Sequence, residues 1–196
     1  MDIIYQILKF IHVIGFAMMA VPLFNLIVVN ERGLMGASFN YATDRYMENI
    51  IKHGAIRCYV FQFTVLISGL LLTLLGPLGF SALWTNWIII SKTALLFILM
   101  GLLSYVHLKL QPQIEFLMDS VGPDSQIPDD FAAKLKPYRL KRKKLATVCL
   151  FIVFSTIILG IQVYVRFHPL VTIGLTVTSG WFAMRANKTL IRFGWF

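Results

Sequence analysis

Long apolar runs separated by short clusters of charge dominate the chain, over about 5–29, 58–75, 87–108, 145–165 and 170–184. The first four each reach the roughly 20 residues that a helix needs to cross the hydrocarbon layer of a bilayer. The fifth, LVTIGLTVTSGWFAM, is shorter and rich in Thr, Ser and Gly, and it follows a turn at Pro169. A helix of that kind relies on close packing against its neighbours rather than on lipid contact. The pattern predicts an all-α polytopic membrane helix bundle of five transmembrane helices and does not fit a barrel. One membrane domain, 1–196, accounts for the whole length.

The polar connections set the orientation. Lys and Arg number four in 30–57, eight in 108–144 and three from Arg185 onward, so fifteen of the eighteen fall on one side of the predicted bundle. Cytoplasmic loops retain positive charge, which predicts the N-terminus outside, the C-terminus inside and the connection 109–144 in the cytoplasm. In that connection Pro, Gly and Asp are expected to stop any continuous helix. Its basic block is expected to anchor lipid headgroups, and FAAKLK to form a short interfacial helix. Trp84, Trp87, Trp181 and Trp195 sit near predicted helix ends, where indoles prefer the membrane interface.

Composition agrees with this reading. Of 196 residues, 58% are hydrophobic and 14% charged, and the mean hydropathy is +0.74, more apolar surface than a water-soluble domain of this size can bury. The formal charge of +9 would suit nucleic acid, but the basic residues cluster beside apolar runs, as topology signals do. Membrane lipids are therefore the expected partners, with a homo-oligomer or a larger membrane complex open and nucleic acid excluded. Cys58 and Cys149 read as small packing residues rather than a disulfide framework. The stretch 1–9 lacks the order of a removable signal peptide, so the first apolar run is expected to remain in the mature protein.

Ionisable groups inside apolar helices are costly, which makes His12, His53, Lys92 and His107 the candidates for chemistry. On the predicted topology His12 and Lys92 share a depth near the outer surface, and His53 and His107 share the inner depth. His53, Arg57, Thr64 and Ser68 follow three-and-four spacing, a polar stripe expected to face the bundle interior. Imidazole is a common axial ligand of haem iron, and bundles build cofactor sites from facing helices. Near His12, Gly15 and Ala20 are small and Phe16 and Met19 are apolar, which suits a flat cofactor. Lys92 suits a contact to an acidic group. An inner-side alternative uses His53, His107 and Arg57. The acidic residues are expected in loops or at the N-terminus, and the chain has no CxxC, HExxH or phosphate-cradling Gly loop.

The run ILKFIHVIGFAMMAVPLF, with a histidine early in the first helix, resembles the membrane superfamily that includes HemJ-type protoporphyrinogen oxidases and CopD-type copper proteins. WTNWIIISKTALLFILMGLLSYVHLKL resembles that superfamily's third helix. The HemJ type has an Ala-Gly pair and adjacent arginines where this chain has Met19, Ala20 and a single Arg57. The resemblance implies haem b as cofactor, His12 as the haem-contacting histidine, Lys92 in the same site, a possible oxidoreductase activity and a bacterial-type inner (plasma) membrane location. Two function classes stand side by side. One is a haem b redox protein, porphyrinogen-oxidase-like or an electron-transfer subunit; the other is a cofactor-free transport protein (CopD-like copper) or a structural subunit.

Overall fold

A computed structural model describes residues 2–30, 40–122, 128 and 130–188, all helix and connecting turns with no strand among them. Seven helices follow in chain order: α1 (Asp2–Asn30), α2 (Tyr41–Leu75), a single turn α3 (Ala82–Thr85), α4 (Trp87–Tyr105), α5 (Gln111–Asp119), α6 (Phe131–Gln162) and α7 (Pro169–Lys188). Arg32, Arg192 and Trp195, used above for orientation and interface, lie outside the described residues. Four helices are long and apolar enough to cross a membrane: Ile3–Val29, Tyr41–Leu75, Trp87–Asp119 and Phe131–Gln162. The protein is an all-α membrane helix bundle.

Local chemistry explains where the helices start and turn. Asn40 caps α2 by accepting from the Thr43 amide at 3.0 Å, while Asp44 accepts from the Asn40 amide at 3.1 Å, so two orphan donors of the first turn are satisfied reciprocally. Asn86 caps α4 through the Ile88 amide. Between α2 and α3 the chain reverses at Gly79, whose φ of 70° is a conformation that glycine adopts without steric cost.

Two expectations about the connection 109–144 are corrected. The expected break comes later than the first proline: α4 runs through a π-helical turn, Val106–Leu110, directly into α5 and past Pro112, and helix ends only at Asp119, before Gly122. A proline in a helix removes one amide donor and crowds the carbonyl four residues back. The wider π-turn immediately before Pro112 opens the ladder where that crowding would fall. Nor is FAAKLK a separate interfacial helix; it opens α6, which continues through Pro137 for 32 residues. The second apolar run is likewise only the later part of α2, which has 35 residues. At 1.5 Å per residue α2 is about 50 Å long against a hydrocarbon layer of about 30 Å. The first halves of α2 and α6 therefore project past the apolar portion at one end of the bundle.

The main core joins Met19, Leu23 and Ile27 of α1 to Cys58 and Val65 of α2, Leu96 and Leu99 of α4, and Leu150 and Val153 of α6. α1 packs chiefly along α2, and α6 touches α1, α4 and α7. A second cluster of Ile114, Met118, Val121, Phe131 and Leu135 seats α5 on the start of α6. α7 forms as expected, yet it is not among the four helices apolar enough to span, because its hydroxyl residues lower the hydropathy. Those hydroxyls are internally satisfied: Thr176, Thr178 and Ser179 each donate to a carbonyl one turn earlier at 2.8 Å, which removes much of the cost of placing them in an apolar medium.

Topology can be read by cysteine labelling in a chain whose native cysteines are replaced by alanine. If α7 crosses the membrane, Ser120→Cys and Lys188→Cys are expected to resist an impermeant maleimide in intact cells and react after permeabilisation. Phe80→Cys should do the reverse. Reaction of Lys188→Cys from the same face as Phe80→Cys shows that α7 does not cross.

Candidate functional site

One face of α1 carries Lys9, His12, Phe16 and Met19 at three-and-four spacing, and all four line a cavity of about 550 Å³ closed by α2, α4 and α6. Lys92 and Thr93 of α4, Thr73 of α2, and Thr156 and Gly160 of α6 complete the polar and small part of its wall. The rest is aliphatic and aromatic. That size lies within the range of small-molecule sites, and an apolar wall with few polar groups is their usual make-up.

His12 is held in one orientation. Its Nδ1 lies 2.9 Å from the Ser68 hydroxyl oxygen, and the single hydroxyl proton of Ser68 is directed at the Thr64 carbonyl. With that proton on Thr64, Ser68 accepts from His12 Nδ1–H, the tautomer in which Nε2 carries the lone pair, and the Val65 backbone is a second hydrogen-bond partner of the ring. This is the arrangement by which a neighbouring acceptor fixes the tautomer and orientation of a ligating imidazole. Helix α2 permits the close approach because position 69 is glycine: a Cβ there would stand 3.1 Å from His12 Cε1.

Lys92 reaches across to α6, where a Cβ on Gly160 would lie 3.5 Å from its Nζ. Among the described residues it makes no ion pair or hydrogen bond, and no carboxylate lines the cavity. Lys9, at the rim, rests over two rings instead: its Nζ is 4.6 Å from the centroid of Tyr5 and 5.5 Å from that of Tyr164. The two phenol oxygens are 3.3 Å apart. The wall is thus apolar with two ammonium groups and an imidazole.

The structure brings His12 and Lys92 to one cavity and leaves the other candidates elsewhere. His53 is exposed and bonded to the Asn49 carbonyl of its own helix at 2.8 Å; Arg57 is exposed too. The polar stripe on α2 is corrected accordingly. Only Ser68 of that set is buried, and Thr64 donates to the Val60 carbonyl. His107 sits in the π-turn, edge-on to Tyr59 with centroids 6.0 Å apart. Among the described residues no three His, Cys, Asp or Glu side chains converge as a metal-binding group. Cys58 and Cys149 are free thiols.

A second polar centre lies at the opposite end, built not from His53, His107 and Arg57 but from acidic residues and arginines that the sequence reading placed in loops. Asp44 and Glu48 are buried on α2, which corrects their placement in a loop. Arg142, fully buried, grips Glu48 with both terminal nitrogens, at 2.6 and 3.1 Å, and donates to Gln111 at 2.8 Å. Arg139 bridges Glu48 at 3.0 Å and Asp44 at 2.9 Å. These two arginines belong to the basic block expected at the headgroups; instead they pair internally, because the projecting halves of α2 and α6 face each other. More exposed pairs, Lys52 with Glu115 at 3.1 Å and Arg45 with Asp119 at 2.9 Å, add α5 to the contact at little energetic gain.

Compared with protein-family models, with curated proteins and with solved structures, the chain matches none. The local geometry alone bears on function.

Proposed function

We propose that the cavity between α1, α2, α4 and α6 holds haem b, and that the chain is an integral membrane redox protein, either an oxidase of a porphyrin-like substrate or an electron-transfer subunit. The observation that carries this reading is the His12 imidazole, oriented by Ser68 on the wall of a largely apolar cavity that it shares with Lys92. His12 would hold the group through its imidazole, and Lys92 would meet an acidic group on it. Bound there, haem would supply one-electron chemistry at iron, with axial ligand and burial setting its potential. The chain's own part is to orient the imidazole through Ser68 and to exclude water with Phe16, Met19 and Leu96. The positive-charge bias favours a cavity near the outer face with the Arg142 end in the cytoplasm, and the resemblance of the first and third helices supports a bacterial-type inner membrane.

The test is an optical and pyridine-haemochrome spectrum of the detergent-purified chain from haem-replete cells. A Soret band with a b-type haemochrome is expected. A spectrum without either, together with failure to take up added haemin, sinks the reading and leaves the cofactor-free transport or structural subunit in its place.

A further inference from the structure

The polar complement of the cavity is one-sided, and that selects a ligand class whether or not iron is present. Two ammonium groups, Lys9 and Lys92, line it from different helices, Thr73 and Thr156 spend their hydroxyl protons on the Gly69 and Ile152 carbonyls of their own helices, and among the described residues no carboxylate lines the cavity. Apart from the His12 imidazole, the Thr93 hydroxyl and the Tyr164 phenol, the rest of the wall is apolar. An unpaired ammonium beside an apolar cavity in a membrane is costly, and an acidic group brought by a ligand would offset that cost at both positions.

Lys9 carries the argument beyond the imidazole. It is not buried, yet it does not point away into solvent: its Nζ lies over Tyr5 and Tyr164, a weak attraction at an exposed site. Tyr164 lies in the turn that follows α6, and the Tyr5 ring abuts α2 at Gly76, where a Cβ would stand 2.9 Å from Tyr5 Cε2. The ring pair therefore ties the starts and ends of three helices together and keeps a cation at the cavity rim, one helical turn from His12. Held so weakly, the ammonium can exchange the rings for an anion without breaking an ion pair.

We propose that the cavity is a site for a lipid-soluble acid, an apolar body carrying carboxylate, with Lys92 as the deep contact and Lys9 as the rim contact. This rests on the same cavity as the haem reading but not on iron. Carboxylate on an apolar body occurs both in long-chain fatty acids and in tetrapyrroles, and the experiment separates the two.

Binding of cis-parinaric acid and of metal-free protoporphyrin IX to the detergent-purified full chain is followed by fluorescence, alongside the methyl ester of each. At least one acid is expected to bind at least about tenfold more tightly than its ester, a difference of about 1.4 kcal/mol. Lys9→Gln and Lys92→Gln should each remove most of that preference and leave ester binding unchanged, with helical circular dichroism intact. Preference for parinaric acid alone assigns a fatty-acid source, and preference for protoporphyrin alone assigns a tetrapyrrole. Equal binding of acid and ester, or an undiminished preference in both lysine variants, overturns the proposal. Acid preference in a chain that shows no Soret band and takes up no added haemin removes the haem reading and leaves this one standing; a Soret band without acid preference does the reverse.

Discussion

Arg142→Ala is expected to be the most destabilising single change in the charged end of the bundle, at about 3–5 kcal/mol. The guanidinium is fully buried, and its removal leaves Glu48, itself only 2% exposed, with one arginine instead of two. Gln111 loses the donor that meets its carbonyl oxygen at 2.8 Å. The loss is that of stranding a buried charge rather than the net value of the pair, so a second variant tells the two apart. Replacing Arg142, Glu48 and Gln111 together by Met, Leu and Leu removes donor and acceptors at once, and it should be far closer to the parent than Arg142→Ala. For a chain of this length the single change corresponds to a fall on the order of 10 °C in the apparent thermal midpoint in detergent. A midpoint within about 2 °C of the parent would show that water reaches the cluster and solvates Glu48.

The same cluster marks the limit of what the sequence disclosed. Hydropathy finds lipid-facing apolar runs, so it found α1, the latter parts of α2 and α6, and α4. It missed the first halves of α2 and α6, since a helix that leaves the bilayer becomes charged and resembles a loop. A signal was present nonetheless: Asp44, Glu48, Ile51, Ala55, Cys58, Gln62 and Val65 recur at alternating spacings of four and three, and all are buried on one face of α2. Extending the stripe from the apolar half backward would have predicted that Asp44 and Glu48 point inward. Their partners stand some 90 residues later, which local reading cannot pair.

The third apolar run misled in a different way. It was expected to end near Leu108, whereas helix continues through the π-turn and past Pro112 to Asp119. At the cavity, equal depth of His12 and Lys92 was legible because it follows from helix direction alone. Ser68 was assigned to a stripe but not to His12, and Lys9 was counted only toward topology, because neither helix rotation nor the position of Tyr164 is encoded nearby in the chain.

Loss of His12 is expected to abolish haem binding, where loss of any other histidine leaves it. His12→Ala removes the only imidazole on the cavity wall and should eliminate the Soret absorbance while the chain remains in the membrane. Ser68→Ala should act less severely. It deletes the acceptor that holds Nδ1–H and releases the ring, so affinity for haem should fall about 10- to 100-fold, as for other supports of a ligating histidine. The pairing of the two variants matters, because a purely structural role for His12 predicts equal loss of folded protein in both and no specific change in the spectrum per mole of chain. The rival site pairs His53 with His107 at the Arg142 end. In the structure His53 is engaged with the Asn49 carbonyl and would have to leave it to meet iron, while His107 packs edge-on against Tyr59 with its Nδ1 buried and without a hydrogen-bond partner among the described residues. A full spectrum in His12→Ala, with loss in His53→Ala or His107→Ala, would move the cofactor to that end and detach Lys92 from it.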